Sequence, residues 1–91
     1  MNKTEEILLN TLVKIDGAYA PSTIRAFRAD FNTFIAYSES IKESPLPALP
    51  KTVASFIDHL TEKRYSSSYI RRFVVSISSI HQINRLSDPT K

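Results

Sequence analysis

Five prolines divide this chain of 91 residues and set where its helices can begin and end. Proline lacks an amide hydrogen and clashes with the preceding helical turn, so it is tolerated at the start of a helix but not inside one. The prolines stand at positions 21, 45, 47, 50 and 89. The segments between them repeat apolar residues at helical spacing, and no strand-like alternation appears. The sequence therefore predicts an all-α fold.

Four amphipathic helices follow from this division. They cover 5–15, 21 to about 40, 50 to about 64, and 66 to about 84. Asp16-Gly17 suits a left-handed end to the first helix, and the Ser66 side chain can cap the fourth. Because 43–50 contains three prolines, we expect a stiff, extended connection there.

The apolar stripes of the four helices predict a single domain, a compact four-helix bundle spanning 1–91. The predicted core is rich in phenylalanine and branched aliphatic residues. It comprises Leu8, Leu12, Ile15, Ile24, Phe27, Phe31, Phe34, Ile35, Val53, Phe56, Ile57, Leu60, Ile70, Phe73, Val74, Ile77 and Ile80.

Composition argues against several classes of function. The chain has no cysteine, two histidines and one glycine, so thiolate metal sites, a histidine zinc cage and a glycine-rich phosphate loop have no support. We predict His81 as a hydrogen-bonded histidine at the core boundary and His59 as facing solvent. We therefore expect no cofactor, no metal and no enzymatic activity in these 91 residues.

Charge and hydropathy indicate where a partner would bind. The net charge is +3, and residues 51–91 alone carry +4. No apolar run approaches the roughly 20 residues that cross a bilayer, so a cytoplasmic protein without membrane contact is expected. A modest basic excess is weak evidence for an anionic partner, so the position of the arginines must carry the argument.

The outer sides of the second and fourth helices are the candidate binding surface. The second helix carries Arg25, Ala26, Ala29, Thr33 and Ala36 there. Short side chains allow a helix to enter a major groove about 12 Å wide. Good helix formers on a solvated face explain the same pattern.

On the fourth helix, Arg72 could contact guanine through two hydrogen bonds, while Ser67, Ser68 and the first backbone amides could hold a phosphate. A serine-capped helix with two solvated arginines is the alternative. Tyr65 and Tyr69 add hydroxyl groups near the same end, and either could equally be half-buried packing.

The first helix has an unusually broad apolar stripe, which Leu9 and Val13 widen. It either faces a protein partner or packs inward with scattered exposure.

Four motifs in order resemble the N-terminal core-binding domain of tyrosine site-specific recombinases, the phage integrase family. The motifs are APSTIRAFRADFNTF at 20–34, LPALPKTVASFIDHL at 46–60, YSSSYIRRFVVSISSIH at 65–81 and DPT at 88–90. Together they cover nearly the whole chain.

The resemblance implies a SAM-like bundle whose second and fourth helices lie across the major groove of a double-stranded recombination site. It implies DNA recombination and integration as the parent activity, in a bacterial or phage-encoded protein at the nucleoid. The catalytic domain of the family, with its tyrosine nucleophile, is expected to be absent from this chain. In isolation the domain is expected to be a monomer, with the first helix helping neighbouring protomers meet on DNA.

Matching family positions place DNA contacts on both helices, with Arg72 as the base reader. The predicted contacts are Thr23, Arg25, Ala26, Ala29, Ser68, Tyr69 and Arg72. Two positions depart from the family: Ala20 replaces a capping serine, and Tyr69 replaces a threonine. The rival hypothesis is a helical protein-interaction module. The DNA hypothesis requires the side chains of Arg25 and Arg72 to lie along one shared basic surface, which we call the basic ledge.

Overall fold

The structure, a computed structural model, describes residues 2–91 and contains four α-helices. They are α1 (Lys3–Lys14), α2 (Pro21–Ser40), α3 (Pro50–Glu62) and α4 (Ser67–Ile83). The predicted all-α four-helix bundle is confirmed. No helix within 2–91 has both the length and the apolar character to cross a membrane.

The helix starts follow the local sequence. Pro21 and Pro50 occupy first-turn positions, as predicted from their fixed φ angle. The hydroxyl of Ser66 accepts a hydrogen bond from the Tyr69 amide at 3.2 Å and caps α4. Ala20 makes no side-chain cap for α2. One prediction was wrong at its start: α1 begins at Lys3, because the Asn2 side chain caps it.

Three helices end in a way the sequence did not predict. Lys42, Arg64 and Arg85 each adopt a left-handed φ between 58° and 65°. Each follows the helix C-cap, and the next amide donates back to a carbonyl of the last turn, as in Glu43 to Ser38 at 2.9 Å. These are Schellman ends, which usually carry glycine. Here a long basic side chain stands at the negative end of the helix.

The core joins all four helices. Its fully buried side chains include Phe31, Phe34, Phe56, Ile77 and Ile80. The Phe34 and Phe56 rings meet edge to face with centroids 5.1 Å apart, a favourable aromatic geometry. Most of the predicted core is confirmed, while four residues at its margin (Ile24, Ile57, Ile70 and Val74) are only half-buried.

The connection between α2 and α3 is packed into the core. Leu46 and Ala48 are buried. The Ala48 amide donates to Nε2 of His81 at 2.9 Å, and Nδ1 of His81 donates to the Ile77 carbonyl at 2.8 Å. His81 is 0% exposed, so it lies inside the core and not at its boundary as predicted. The stiff connection is therefore fixed to α4 by a histidine.

Two further contacts hold the ends of the bundle. Asn84 donates to the Thr11 hydroxyl at 2.9 Å and so ties α4 to α1. Asp88 accepts hydrogen bonds from Thr90, at 2.6 Å from its hydroxyl, and from Ser78 at 2.8 Å. These bonds lower the pKa of Asp88 to about 2, Thr90 having the largest effect.

Candidate nucleic-acid interface

A buried carboxylate joins α2 to α4 at the edge of the predicted binding surface. Asp30 is 1% exposed and lies one residue before Phe31. Its Oδ1 accepts from Nη2 of Arg72 at 2.6 Å, and its Oδ2 accepts from Nε of Arg72 at 3.0 Å. The hydroxyl of Ser76, one turn along α4, donates to the same Oδ2 at 2.8 Å. We call Asp30, Arg72 and Ser76 the α2–α4 clasp.

The aromatic ring of Tyr69 completes the setting of Arg72. The guanidinium carbon lies 4.4 Å from the Tyr69 ring centroid, a cation–π contact. The hydrogen bonds to Asp30 are the largest influence holding the pKa of Arg72 above its ordinary value. The guanidinium is thus hydrogen-bonded to Asp30 along one edge and covered by the Tyr69 ring on one face.

Arg72 is therefore neither the unpaired outward arginine of the DNA prediction nor the simply solvated arginine of its alternative. The prediction placed it outward among short side chains, and the clasp instead pairs it with a carboxylate. Its side chain is still 46% exposed. An arginine has five N–H donors in a planar fork, and the clasp uses one on Nε and one on Nη2. The outer edge, formed by Nη1 and the second Nη2 hydrogen, remains directed away from Asp30.

The other predicted contact residues fall into two groups. Thr23 and Ala26 are half-buried, whereas Arg25, Ala29, Ser68 and Tyr69 are exposed. Since Asp30 meets Arg72, the residues one turn earlier on each helix, Ala26 and Ser68, flank the clasp. Four of the seven predicted positions, Ala26, Ser68, Tyr69 and Arg72, therefore lie at or beside the clasp, and we call this junction of α2 and α4 the seam.

Arg25 does not adjoin Arg72 in this arrangement. Five residues along a helix correspond to a rotation of about 140°, so Arg25 points away from the Asp30 side of α2. Both side chains are exposed, but they are not adjacent, so the shared basic ledge stays a prediction. Arg71, which the sequence analysis did not single out, is exposed on α4 beside the clasp. Arg25 and Arg71 are both exposed, whereas the charge of Arg72 is paired with that of Asp30.

Arginine predominates along most of α2 and along α4, although the exposed Glu39 lies in the last turn of α2. Residues 21–38 and 66–87 together contain five arginines and a single acidic residue, Asp30. Because Asp30 is buried in the clasp, no exposed carboxylate stands on these stretches. They carry a net charge of +4, and the remaining residues of the chain carry −1. None of the ion pairs found within 2–91 involves Arg25, Arg28 or Arg71.

The two histidines take no part in this surface. Both ring nitrogens of His81 are used in the core, and burial lowers its pKa. The His59 ring is half-buried, 5.0 Å from the ring of Tyr37. Within residues 2–91, no group of three or more potential metal-ligating side chains is found.

The α1 surface is only partly used for packing. Leu8 and Leu12 are buried, whereas Leu9 is exposed and Val13 is 75% exposed. The broad stripe therefore divides into a packed half and an exposed half.

Asp30 is the important residue that sequence reasoning missed. A usable signal was present, since Asp30 lies among Phe27, Phe31 and Phe34 on the apolar flank of α2. A carboxylate at such a position needs a partner, because burying an unpaired charge is costly. Sequence alone does not give the helix packing that makes Arg72 that partner.

Comparison of the chain with protein-family models, with curated proteins and with solved structures gives no match. The resemblance to the core-binding domain stays a prediction that depends on the four motifs and on the arrangement of α2 and α4.

Proposed function

We propose that this chain binds double-stranded DNA as the N-terminal core-binding domain of a tyrosine site-specific recombinase. In this proposal α2 and α4 face the major groove, and strand cleavage belongs to a separate catalytic domain. The observation that carries it is the α2–α4 seam, where short side chains flank Arg72 and the clasp leaves the outer N–H donors of its guanidinium unused.

Charge supports a polyanionic partner. The exposed faces of α2 and α4 present Arg25 and Arg71, and no exposed carboxylate lies between 21 and 38 or between 66 and 87. Such a one-signed surface attracts the phosphate backbone and releases its counterions. Exposed Ala29 and Ser68 keep the surface low, so the helices can approach closely.

The donor geometry supports base contact in addition. Guanine presents O6 and N7 as two acceptors in the major groove, and an arginine fork fills both at once. The free outer edge of Arg72 has this pair of donors. The first turn of α4 adds backbone amides without intrahelical partners, which suit a phosphate oxygen.

A salt titration tests the proposal. Binding of the full chain to short random-sequence duplexes, followed by fluorescence anisotropy, should be strongest at low salt and weaken steeply as salt rises. Arg25→Ala should weaken all duplexes similarly and reduce the slope of log K against log salt by about 1. The exposed Val13→Ala on α1 is the matched control and should leave the slope unchanged. Absence of duplex binding at low salt would overturn the proposal.

The exposed half of α1 supports a second candidate function, docking of a protein partner through Leu9 and Val13. If this is the principal function, the chain should form a concentration-dependent dimer in sedimentation experiments, without DNA. Leu9→Ser together with Val13→Ser should then abolish the dimer, since both side chains are already exposed and the fold does not depend on them.

A further inference from the structure

We propose that Asp30 is a positioning residue that makes Arg72 a reader of guanine and prevents it from acting as a general phosphate contact. This inference deepens the proposed function and rests on it. It assigns a specificity role to a residue that itself is too buried to touch DNA.

The clasp fixes the orientation of the guanidinium. Two hydrogen bonds from Nε and Nη2 reach the two oxygens of one carboxylate, so the plane of the fork cannot rotate without breaking both. The hydroxyl of Ser76 holds that carboxylate in turn, and the Tyr69 ring closes one face. A donor pair held in this way loses less rotational freedom when it meets a base.

The clasp also cancels the charge of the arginine. Asp30 lies within hydrogen-bonding distance of Arg72, so together they form a neutral unit at the centre of the seam. A neutral unit releases few counterions and adds little to the affinity for an arbitrary duplex. What remains is a pair of N–H donors with a fixed direction. Their contribution to affinity depends on which acceptors lie opposite them. Guanine O6 and N7 are such a pair in the major groove.

Asp30→Asn separates this role from a merely structural one. An amide offers one acceptor oxygen and an NH₂ group that opposes the arginine donors, so Arg72 is released with its full charge. Affinity for a duplex of A·T pairs only should therefore rise, and its salt slope should steepen by about 0.9, the value for one added phosphate contact. Preference for guanine should fall by about tenfold, within the range of one bidentate contact.

A purely structural loss would lower both affinities in parallel. Ser76→Ala is the matched control, since it removes a hydrogen bond to the same carboxylate oxygen and leaves the ion pair. It should keep both the guanine preference and the salt slope of the original protein within about twofold.

The experiment starts with selection of the full chain on duplexes randomised over about one helical turn. The best duplex, the same duplex with 7-deazaguanine at the enriched position, and an A·T-only duplex are then titrated at several salt concentrations. Removing the guanine N7 should weaken the original protein and leave Asp30→Asn almost unaffected. Circular dichroism melts establish that each variant is folded.

Arg72→Lys provides an independent route if Asp30→Asn fails to fold. An ammonium group is not held as a planar fork, so guanine preference should fall as far as in Arg72→Ala although the charge is kept. Retained preference in Arg72→Lys would overturn the positioning role.

The outcomes distinguish this inference from the proposed function. If Arg72→Ala loses guanine preference while Asp30→Asn keeps it, the positioning role is wrong and DNA binding stands. If Asp30→Asn loses affinity for all duplexes equally, the role is likewise wrong. If the original protein binds no duplex at low salt, the proposed function fails and this inference fails with it.

Discussion

Two buried polar groups, His81 on α4 and Asp30 on α2, join α4 to other parts of the molecule, and they differ in what they leave free. His81 has both ring nitrogens bonded inside the protein, to Ala48 and to Ile77. Asp30 is equally buried, but its partner Arg72 is about half exposed and keeps unused donors. A polar group satisfied entirely within the core can only stabilise the fold. One whose partner reaches the surface can also present chemistry to a ligand.

The largest expected effect concerns the core that both regions share. Phe31 is fully buried, next to Asp30 in sequence and with its ring centroid 6.1 Å from that of His81. Phe31→Ala should lower the free energy of unfolding by about 3 to 5 kcal/mol, because it removes a large side chain and leaves a cavity. Chemical denaturation measures the loss. Val75→Ala, at an exposed position of α4, is the control and should change stability by less than about 0.5 kcal/mol. If Phe31→Ala were as stable as the original protein, the core would be wrongly assigned.

Substitution of His81, whose ring nitrogens are both bonded inside the core, should change stability without changing the affinity for DNA. His81→Phe keeps a ring of similar size but leaves the Ala48 amide without an acceptor. The cost should be about 1 to 3 kcal/mol, the penalty for an unsatisfied buried donor. Duplex affinity, measured well below the melting temperature, should be unchanged. A change in guanine preference in this variant would contradict the contrast between the two regions.

The buried His81 should also make stability depend on pH. Burial lowers the pKa of His81 below 6.5, so the folded protein holds it neutral. Below about pH 6.5 the unfolded chain binds a proton at His81 that the folded chain does not bind. The contribution of neutral His81 to stability is therefore complete above this pH and is lost as the pH falls through the folded pKa.

Denaturation midpoints at about pH 7.5 and about pH 5 measure this loss, which cannot exceed about 2 kcal/mol for one proton over that range below the ordinary pKa. His81→Phe should flatten the profile there. Asp88, with a pKa of about 2 against 3.8, contributes separately, only as the pH falls below about 4.

Breaking the Asp30–Arg72 pair of the clasp should have the smallest effect on stability. Arg72→Ala breaks the pair with Asp30, but the lost guanidinium is half exposed and water can reach the carboxylate in its place. We expect a cost of about 1 to 2 kcal/mol, below that of breaking a fully buried pair. Denaturation measures it, and the same variant should lose guanine preference. A stability loss larger than that of Phe31→Ala would show that the clasp is mainly structural.

The helices could be predicted because their signals are local. Pro21, Pro50 and Ser66 mark helix starts through the chemistry of one or two residues, and the structure agrees at each. The helix ends were less visible, since Lys42 and Arg64 take a backbone conformation that glycine normally signals. The sequence gives no glycine at these ends to mark them.

The site could be predicted only in part because its key contact is not local. The Asp30 and Arg72 positions are 42 residues apart, and their pairing depends on how α2 packs on α4. Periodicity identified the faces of both helices but not which edges meet. It therefore found Arg72 and missed the carboxylate that orients it.

The packed connection between α2 and α3 affects how the seam could meet a duplex. With Leu46 and Ala48 buried and the latter tied to His81, this segment cannot serve as a hinge that adjusts the spacing of α2 and α4. In the proposed DNA complex, a mismatch between the seam and the width of the groove would then be accommodated by deformation of the DNA. The ease with which a given sequence bends or widens would contribute to site choice even at base pairs that no side chain contacts.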